Sequence, residues 1–382
     1  MIPYGRQDIT QQDIDAVVAT LRSDYLTQGP AVARFEGAVA ERVSAGHGVA
    51  VSSATSALHV ACLALGLGPG DRLWTVPNTF VASANCGRYC GADVDFVDID
   101  PVTWNMDVEK LREKLAHARR GNVLPSVVIP VHFAGQPTEQ ETIWELAQEY
   151  GFHVVEDASH AIGASRNGES VGSCRWSSVT VFSFHPVKII TTAEGGMLMT
   201  NDDALADRMR SLRSHGITRD PARWTDAADP GDGWYYEQQT LGYNYRLTDV
   251  QAALGLSQLA RLDTYVDGRN RLAARYDAAL ADLPLQLPRV SAANRSAFHL
   301  YVVRVAAERR RAIYDALRQR GVGVNVHYLP VHLQPYYREL GFTEGDFPEA
   351  EAHGTSAITL PLYPAMSDEC QDEVIAAVRA VL

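Results

Sequence analysis

The stretch SVVIPVHFAGQPTEQETIWELAQEYGFHVVED, Ser126 to Asp157, decides the fold of this 382-residue chain. SVVIPVHFAG (Ser126–Gly135) reads as a buried strand and the loop after it. ETIWELAQEY is an amphipathic helical pattern, and Gly151 stops it. FHVVED (Phe152–Asp157) reads as the next strand. Strand, helix, strand in this order predicts a mostly parallel sheet covered by helices. Working outward, SSVTVFSF (Ser177–Phe184) and GGMLMTND (Gly195–Asp202) are two more strands. SATSALHVACLALGLGPGD (Ser53–Asp71) is a helix that Thr55 or Ser56 would cap and Gly66 to Gly70 would stop. TDVQAALGLSQLARL (Thr248–Leu262) opens with a capping-box signature, Thr248 with Gln251.

RDPARWTDAADPGDGWYYEQQ (Arg219–Gln239) is long, polar and rich in turn formers; it reads as a functional surface loop or lid, or else as a disordered excursion. Beyond Leu262 the pattern changes. A helical stretch (Tyr265–Leu283) reaches a turn near Pro284 and Pro288, AFHLYVVRV (Ala297–Val305) alternates like an antiparallel strand, and RRRAIYDALRQRGV (Arg309–Val322) and CQDEVIAAVRAVL (Cys370–Leu382) are helical. The expected fold is α/β, with a large domain over 1–262 and a smaller α+β domain over 263–382.

Hydrophobic residues make up 46% of the chain and charged ones 21%, the balance of a globular protein; a net charge of −12 disfavours nucleic-acid or anionic-membrane partners. No apolar run is long enough to span a bilayer, and the N-terminus lacks a signal-peptide pattern. The cysteines, Cys62, Cys86, Cys90, Cys174 and Cys370, are odd in number with no CxxC pair, which predicts buried free thiols and a cytoplasmic protein.

The chain has three lysines, Lys110, Lys114 and Lys188. The first two lie in VEKLREKL, a solvated helical face. Lys188 lies in FSFHPVKIITTAEGG (Phe182–Gly196), among aromatic, β-branched and small residues. Asp157 ends one apolar strand and Lys188 follows another, and ligands of parallel sheets bind at carboxyl strand ends. An amine beside a carboxylate suits pyridoxal phosphate: its aldehyde needs an amine for a Schiff base, and its ring nitrogen needs an acidic partner to stay protonated. Apolar neighbours Val187, Ile189 and Ile190 would lower the amine's pKa by desolvation. Two readings stay open on these residues alone, the other being a snorkelling lysine and a helix-capping aspartate. The helix start at Ala54, Thr55 and Ser56 offers N–H donors and hydroxyls to a phosphate. Ser183 could add a hydroxyl, and Phe80 could stack on the cofactor ring or belong to the core. GLGPGD (Gly66–Asp71) follows a helix and lacks the final glycine of a dinucleotide loop. His327 and His332 are not spaced as a helical metal pair, so no metal is expected. No GxSxG elbow occurs.

EDASHAIGA (Glu156–Ala164), FSFHPVKIITTAEGGMLMTND (Phe182–Asp202), RSHG (Arg213–Gly216) and LGYNYRLTDVQAALGLSQL (Leu241–Leu259) resemble the DegT/DnrJ/EryC1/StrS nucleotide-sugar aminotransferases, over nearly the whole chain. The resemblance implies the fold-type I, aspartate aminotransferase-like architecture with pyridoxal 5'-phosphate on Lys188. It implies that Asp157 pairs with the pyridine nitrogen, that His160 lies beside the ring, and that Thr55 and Ser183 hold the phosphate. Asn244 would reach the cofactor of a neighbouring subunit, making the working unit a homodimer with shared active sites. YLTQGP (Tyr25–Pro30), SSATSAL (Ser52–Leu58), TFVASAN (Thr79–Asn85), TTAEGG (Thr191–Gly196) and VNVHYLPV (Val324–Val331) are similar to the family's pseudaminic-acid branch. That similarity implies substrate contacts from Tyr4, Tyr25, Thr27, Gln28, His185, His327 and Tyr328. Arg246 is a further candidate for holding phosphate or carboxylate, or a surface ion pair. The implied substrates are L-glutamate and a UDP-linked 4-keto-6-deoxy sugar. The alternatives are a dTDP- or GDP-linked ketosugar aminated at carbon 3 or 4, and a cofactor-binding regulator without turnover.

Overall fold

The computed structural model describes residues 1–226 and 232–382. The expected loop at 219–239 is therefore only partly within it, and residues 227–231 lie outside the described residues. Either side of that gap, Ile217–Thr218 pairs antiparallel with Glu237–Gln238.

Helices α1 (Gln11–Leu21) and α2 (Pro30–Val43) precede β1 (His47–Val51). Then α3 (Ala54–Ala64) leads to β2 (Arg72–Thr75), α4 (Ala82–Tyr89) to β3 (Asp93–Phe96), α5 (Val108–Gly121) to β4 (Val127–Ile129) and α6 (Gln140–Tyr150) to β5 (His153–Asp157). Strands β6 (Val179–Ser183) and β7 (Gly196–Thr200) complete a seven-stranded sheet of order β1-β7-β6-β5-β4-β2-β3. The helix α6 ends as its sequence predicts, with Gly151 at φ +82°.

Neighbours from β6 across to β3 are parallel, and β7 runs antiparallel to both β6 and β1. The reason is the connection. Parallel pairing needs a crossover, usually a helix, whereas residues 184–195 fold into a closed loop. Phe184 N donates to the Gly195 carbonyl at 2.9 Å, and the Phe184 carbonyl accepts from Thr192 N at 3.0 Å and Thr191 Oγ1 at 2.9 Å. Ile189 and Ile190 are 3% and 1% exposed and pin this loop to the core, at about 2 kcal/mol each. Lys188 is thus mounted on a short, tied loop rather than a swinging one.

The two faces of the sheet feed separate cores. Val181 and Leu198 belong to one, while Phe182, Met197 and Met199 join Phe35 and Val266 in the other. A third core, around Tyr276, Tyr301, Ile358 and Val374, lies in the C-terminal part. There Tyr301–Arg304 pairs antiparallel with Ala357–Leu360, beside helices Ala307–Gln319 and Asp368–Val381. Helix α7 (Asp203–Leu212) follows β7, α8 (Asp249–Leu259) has the expected Thr248–Gln251 capping box, and α9 (Leu262–Leu280) follows it.

Three expectations need correction. Helix α3 is capped by Ser53, whose hydroxyl accepts from Ser56 N at 3.1 Å, and not by Thr55 or Ser56. The strand expected over 297–305 pairs only from Tyr301, because Ala297 N bonds instead to the Gly135 carbonyl at 2.9 Å and draws residues 297–300 toward the large sheet. Four of the five free thiols are buried, but Cys370 is half-exposed. No helix among the described residues is long and apolar enough to cross a membrane.

Candidate active site

A strand alternates its side chains, so adjacent acids in β5 must part company. Glu156 turns to one face, where it accepts from Thr180 Oγ1 at 2.6 Å and Ser177 Oγ at 3.2 Å. Burial alone would raise its pKa; the hydrogen bonds and the nearby His132 outweigh that and hold it below the usual range. Asp157 turns to the other face and into a cavity of ≈ 480 Å³ at the carboxyl ends of β5 and β6. Its Oδ2 accepts from Ser83 Oγ at 2.6 Å and its Oδ1 from Ser159 N at 3.1 Å. A carboxylate can accept about four bonds, so Asp157 has capacity left for a ligand's N–H.

Lys188 lies across this cavity, its amine 3.5 Å from Nε2 of His299. Lys188 is half-buried and lines the cavity. Burial pushes its pKa from 10.5 down to about 8, although the Asp157 carboxylate pulls it partly back. His160 is 5% exposed, and its Nε2 meets the Tyr328 hydroxyl at 3.1 Å. Burial and then the Lys188 charge press the His160 pKa well below its ordinary value, and burial does the same, to about 3, for His327. Burial pushes the Tyr328 phenol up. The buried imidazoles of His160 and His327 and the phenol of Tyr328 are thus held neutral around the Lys188 amine and the Asp157 carboxylate.

Opposite lies the start of α3, where Ser53, Ala54 and Thr55 line the cavity with Ser183. The first N–H groups of a helix have no partner within it, so Ala54 and Thr55 present donors backed by the helix dipole. Gly196 makes this arrangement possible: a Cβ there would lie 2.5 Å from the Ser53 carbonyl and 2.6 Å from Ala54 N. Phe80, 59% exposed, forms the mouth.

Tyr4, Ala54, Thr55, Phe80, Asp157 and His160 therefore meet in one cavity with Ser183, His185, Lys188, His327 and Tyr328. Ser56 does not: it is buried under the cap, with its hydroxyl 3.0 Å from Ser52 Oγ and 2.8 Å from Ser53 Oγ. Tyr25, Thr27 and Gln28 form an exposed segment tied to the start of α8, where Thr27 bridges Thr248 and Asp249 N donates to the Leu26 carbonyl at 3.0 Å. Asn244 is exposed beside Ser214. Gln28 and Arg246 line a separate cavity of ≈ 230 Å³ with Glu36 and Arg213. Ser83, His299 and Asn325 belong to the site without having been singled out. For Ser83, the signal was its place in TFVASAN, four residues past Thr79.

The residues present fit pyridoxal phosphate. The amine is depressed, the carboxylate has acceptor capacity, the helix start faces the cavity, and Nδ1 of His160 is a buried polar atom without a partner among the described residues. Such chemistry at one sheet edge belongs to the pyridoxal-phosphate-dependent aminotransferases of fold-type I. Residues 7–379 match the model of the DegT/DnrJ/EryC1/StrS aminotransferase family, and the chain belongs to that family. It is 41% identical to the spore coat polysaccharide biosynthesis protein SpsC of Bacillus subtilis (strain 168), over 100% of this chain and 97% of that one. Its fold superposes on Helicobacter pylori PseC, an aminotransferase involved in the biosynthesis of pseudoaminic acid, with a TM-score of 0.91 and 29% identity, covering 100% and 98% of the two chains. The PLP-form of Spr1654 from Streptococcus pneumoniae gives 0.88 and 30%, covering 100% and 99%. The chain is a sugar aminotransferase that uses pyridoxal phosphate, as its sequence motifs imply.

The depressed amine makes a stability prediction. Between about pH 8 and 10.5 the unfolded chain holds more protons at Lys188 than the folded one, so stability rises with pH across that window, and the cost is complete below it. Lys188→Met is expected to stabilise the cofactor-free chain at about pH 7, by on the order of 3 kcal/mol. The gain should vanish above the unfolded pKa. Urea unfolding of both chains at about pH 7 and about pH 11 measures it.

Proposed function

We propose that the chain transfers an amino group from L-glutamate to carbon 4 of a UDP-linked 4-keto-6-deoxy-N-acetylhexosamine, in sugar biosynthesis of the pseudaminic-acid type. The observation that carries the chemistry is the Lys188 amine, held at about 8 in a ≈ 480 Å³ cavity that also holds Asp157. The choice of sugar rests on the similarity to PseC over the whole chain.

When bound, pyridoxal phosphate supplies the electron sink and carries the amino group from donor to acceptor. The protein would do the rest. The start of α3 and the Ser183 hydroxyl would hold the phosphate. Asp157 would pair with the ring nitrogen and keep it protonated. His160 and Phe80 would stand beside the ring. Lys188 would anchor the cofactor and, as a free amine with a pKa near working pH, would move the proton to and from the reacting carbon. Tyr4, His185, His327 and Tyr328 line the remaining space, where the sugar would lie.

The working unit is a homodimer with shared sites. Tyr25, Thr27, Gln28, Asn244 and Arg246 stand outside the cavity of their own chain, which is where residues that complete a partner's site would stand. The chain divides near residue 262 into a large cofactor-binding lobe and a small lobe with its own core, and it works in the cytoplasm.

The test is incubation of the loaded protein with L-glutamate and a panel of UDP-, dTDP- and GDP-linked ketosugars, with products identified by mass spectrometry and NMR. Amination of the UDP-linked 4-keto sugar at carbon 4 is the expected result. Amination of a dTDP or GDP sugar alone, or at carbon 3, overturns the substrate assignment, and no conversion of glutamate overturns the enzyme reading.

A further inference from the structure

His299 was hidden in a strand pattern, yet it stands beside the working amine. Its Nε2 is 3.5 Å from Lys188 Nζ, and its ring lies against His160 with centroids 4.4 Å apart. It is 4% exposed, and Nδ1 has no partner among the described residues.

The backbone that carries His299 is held from several sides. Arg269 of α9 is 1% exposed, and its guanidinium donates to the carbonyls of Phe298 and His299, both at 3.1 Å, and of Leu362 at 3.0 Å. No carboxylate pairs with it among the described residues. Burying an unpaired guanidinium is costly, and here two of its three named bonds go to fixing one turn of chain. Gly135, at φ +98°, lets that turn approach: a Cβ would sit 2.8 Å from Phe298 N and 3.0 Å from His299 N. Phe298 itself is held at φ +43°, a conformation that bulky residues avoid. A strained residue, a buried arginine and a close glycine converge on the placement of one imidazole.

We propose that His299 is the positioning residue for Lys188: its neutral imidazole accepts the ε-ammonium through Nε2 and fixes where the amine stands whenever it is not bonded to the cofactor. This rests on the reading of Lys188 as the cofactor's anchor. The charged and titratable groups that face Lys188 are Asp157, His160, His299 and His327, with Tyr4, His185, Glu194 and Tyr328 on the cavity wall. Burial first, and the Lys188 charge second, keep His299 far below its ordinary pKa, so it meets the ammonium as an acceptor and not as a second cation. Its proton then sits on Nδ1. A neutral acceptor orients the ammonium without the grip of a carboxylate, so the amine can release its proton near neutral pH and take it back from the same place.

Three lysines make the test direct. With 13C-labelled lysine, the full chain before cofactor is added gives three side-chain titrations. Lys110 and Lys114, paired with Asp98 at 3.0 Å and Asp95 at 2.7 Å, serve as controls. His299→Phe should raise the acid dissociation constant of Lys188 about tenfold, because the ammonium loses its acceptor in a dry site. His299→Gln, whose amide oxygen still accepts, should return it to within about twofold of the parent. The acid limb of the pH profile for glutamate conversion should move with it. An unchanged Lys188 titration in His299→Phe overturns the proposal. So does a 15N histidine spectrum of the unmodified chain showing Nε2 of His299 protonated while Lys188 is charged, a measurement that needs no variant. If Lys188 never takes up pyridoxal phosphate, the functional reading fails, and the lysine titration still decides the role of His299.

Discussion

Lys188→Arg is expected to cut turnover by about 10⁴-fold or more. The substitution keeps the positive charge and roughly keeps the volume, so the loop closed by Phe184, Thr191, Thr192 and Gly195 should still form. The chemistry is what goes. A guanidinium stays protonated at any working pH and has no lone pair to offer the cofactor aldehyde or a proton in transit. The burial that brings the lysine amine to about 8 cannot bring arginine into range. Borohydride should fix pyridoxal phosphate to the parent at Lys188 and leave the variant unlabelled, and single-turnover conversion of glutamate should show the loss. Retention of more than about one percent of turnover would remove Lys188 from the mechanism.

Asp157→Asn is expected to lower kcat by about 10²- to 10⁴-fold while the KM for the sugar changes little. The replacement is nearly isosteric. Asn can still accept from Ser159 N, and its amide can donate to Ser83 Oγ, which also lies 2.8 Å from Thr79 Oγ1. Shape is kept and the anion is removed, so the loss measures an electrostatic demand and not a change of packing. The same change removes the upward pull on Lys188, so the amine should titrate lower than in the parent. Steady-state kinetics and the lysine NMR titration read the two effects separately. Full turnover in Asp157→Asn with bound cofactor would sink the electron-sink role.

These two residues were legible because their signals are local. Lys188 stands out among apolar neighbours in a lysine-poor chain, and Asp157 ends a strand whose flanking helix and glycine are unmistakable. The sheet was legible for the same reason, except for the direction of β7, which depends on a loop closing instead of crossing over. His299 was not legible. AFHLYVVRV alternates as a strand does, and only Gly135 and Arg269, far away in sequence, explain why pairing starts late and leaves His299 facing the amine. Ser56 was misread because a hydroxyl one turn into a helix and a hydroxyl at its cap look alike in sequence; the hydrogen bond from Ser56 N to Ser53 decides between them. Tyr25, Thr27, Gln28 and Asn244 came from resemblance alone and Arg246 from its place beside Asn244, and none of them lines the cavity formed by the described residues.

The paired acids at the end of β5 divide the protein into two electrical compartments with a single pleat between them. Glu156 is committed to a closed circuit of hydroxyls and imidazole, and Asp157 to the open chamber. Losing or gaining one residue between Gly151 and Asp157 would exchange their duties, since a pleated chain has no intermediate setting. That short segment can vary in chemistry at its exposed start, His153, but its length admits no variation at all.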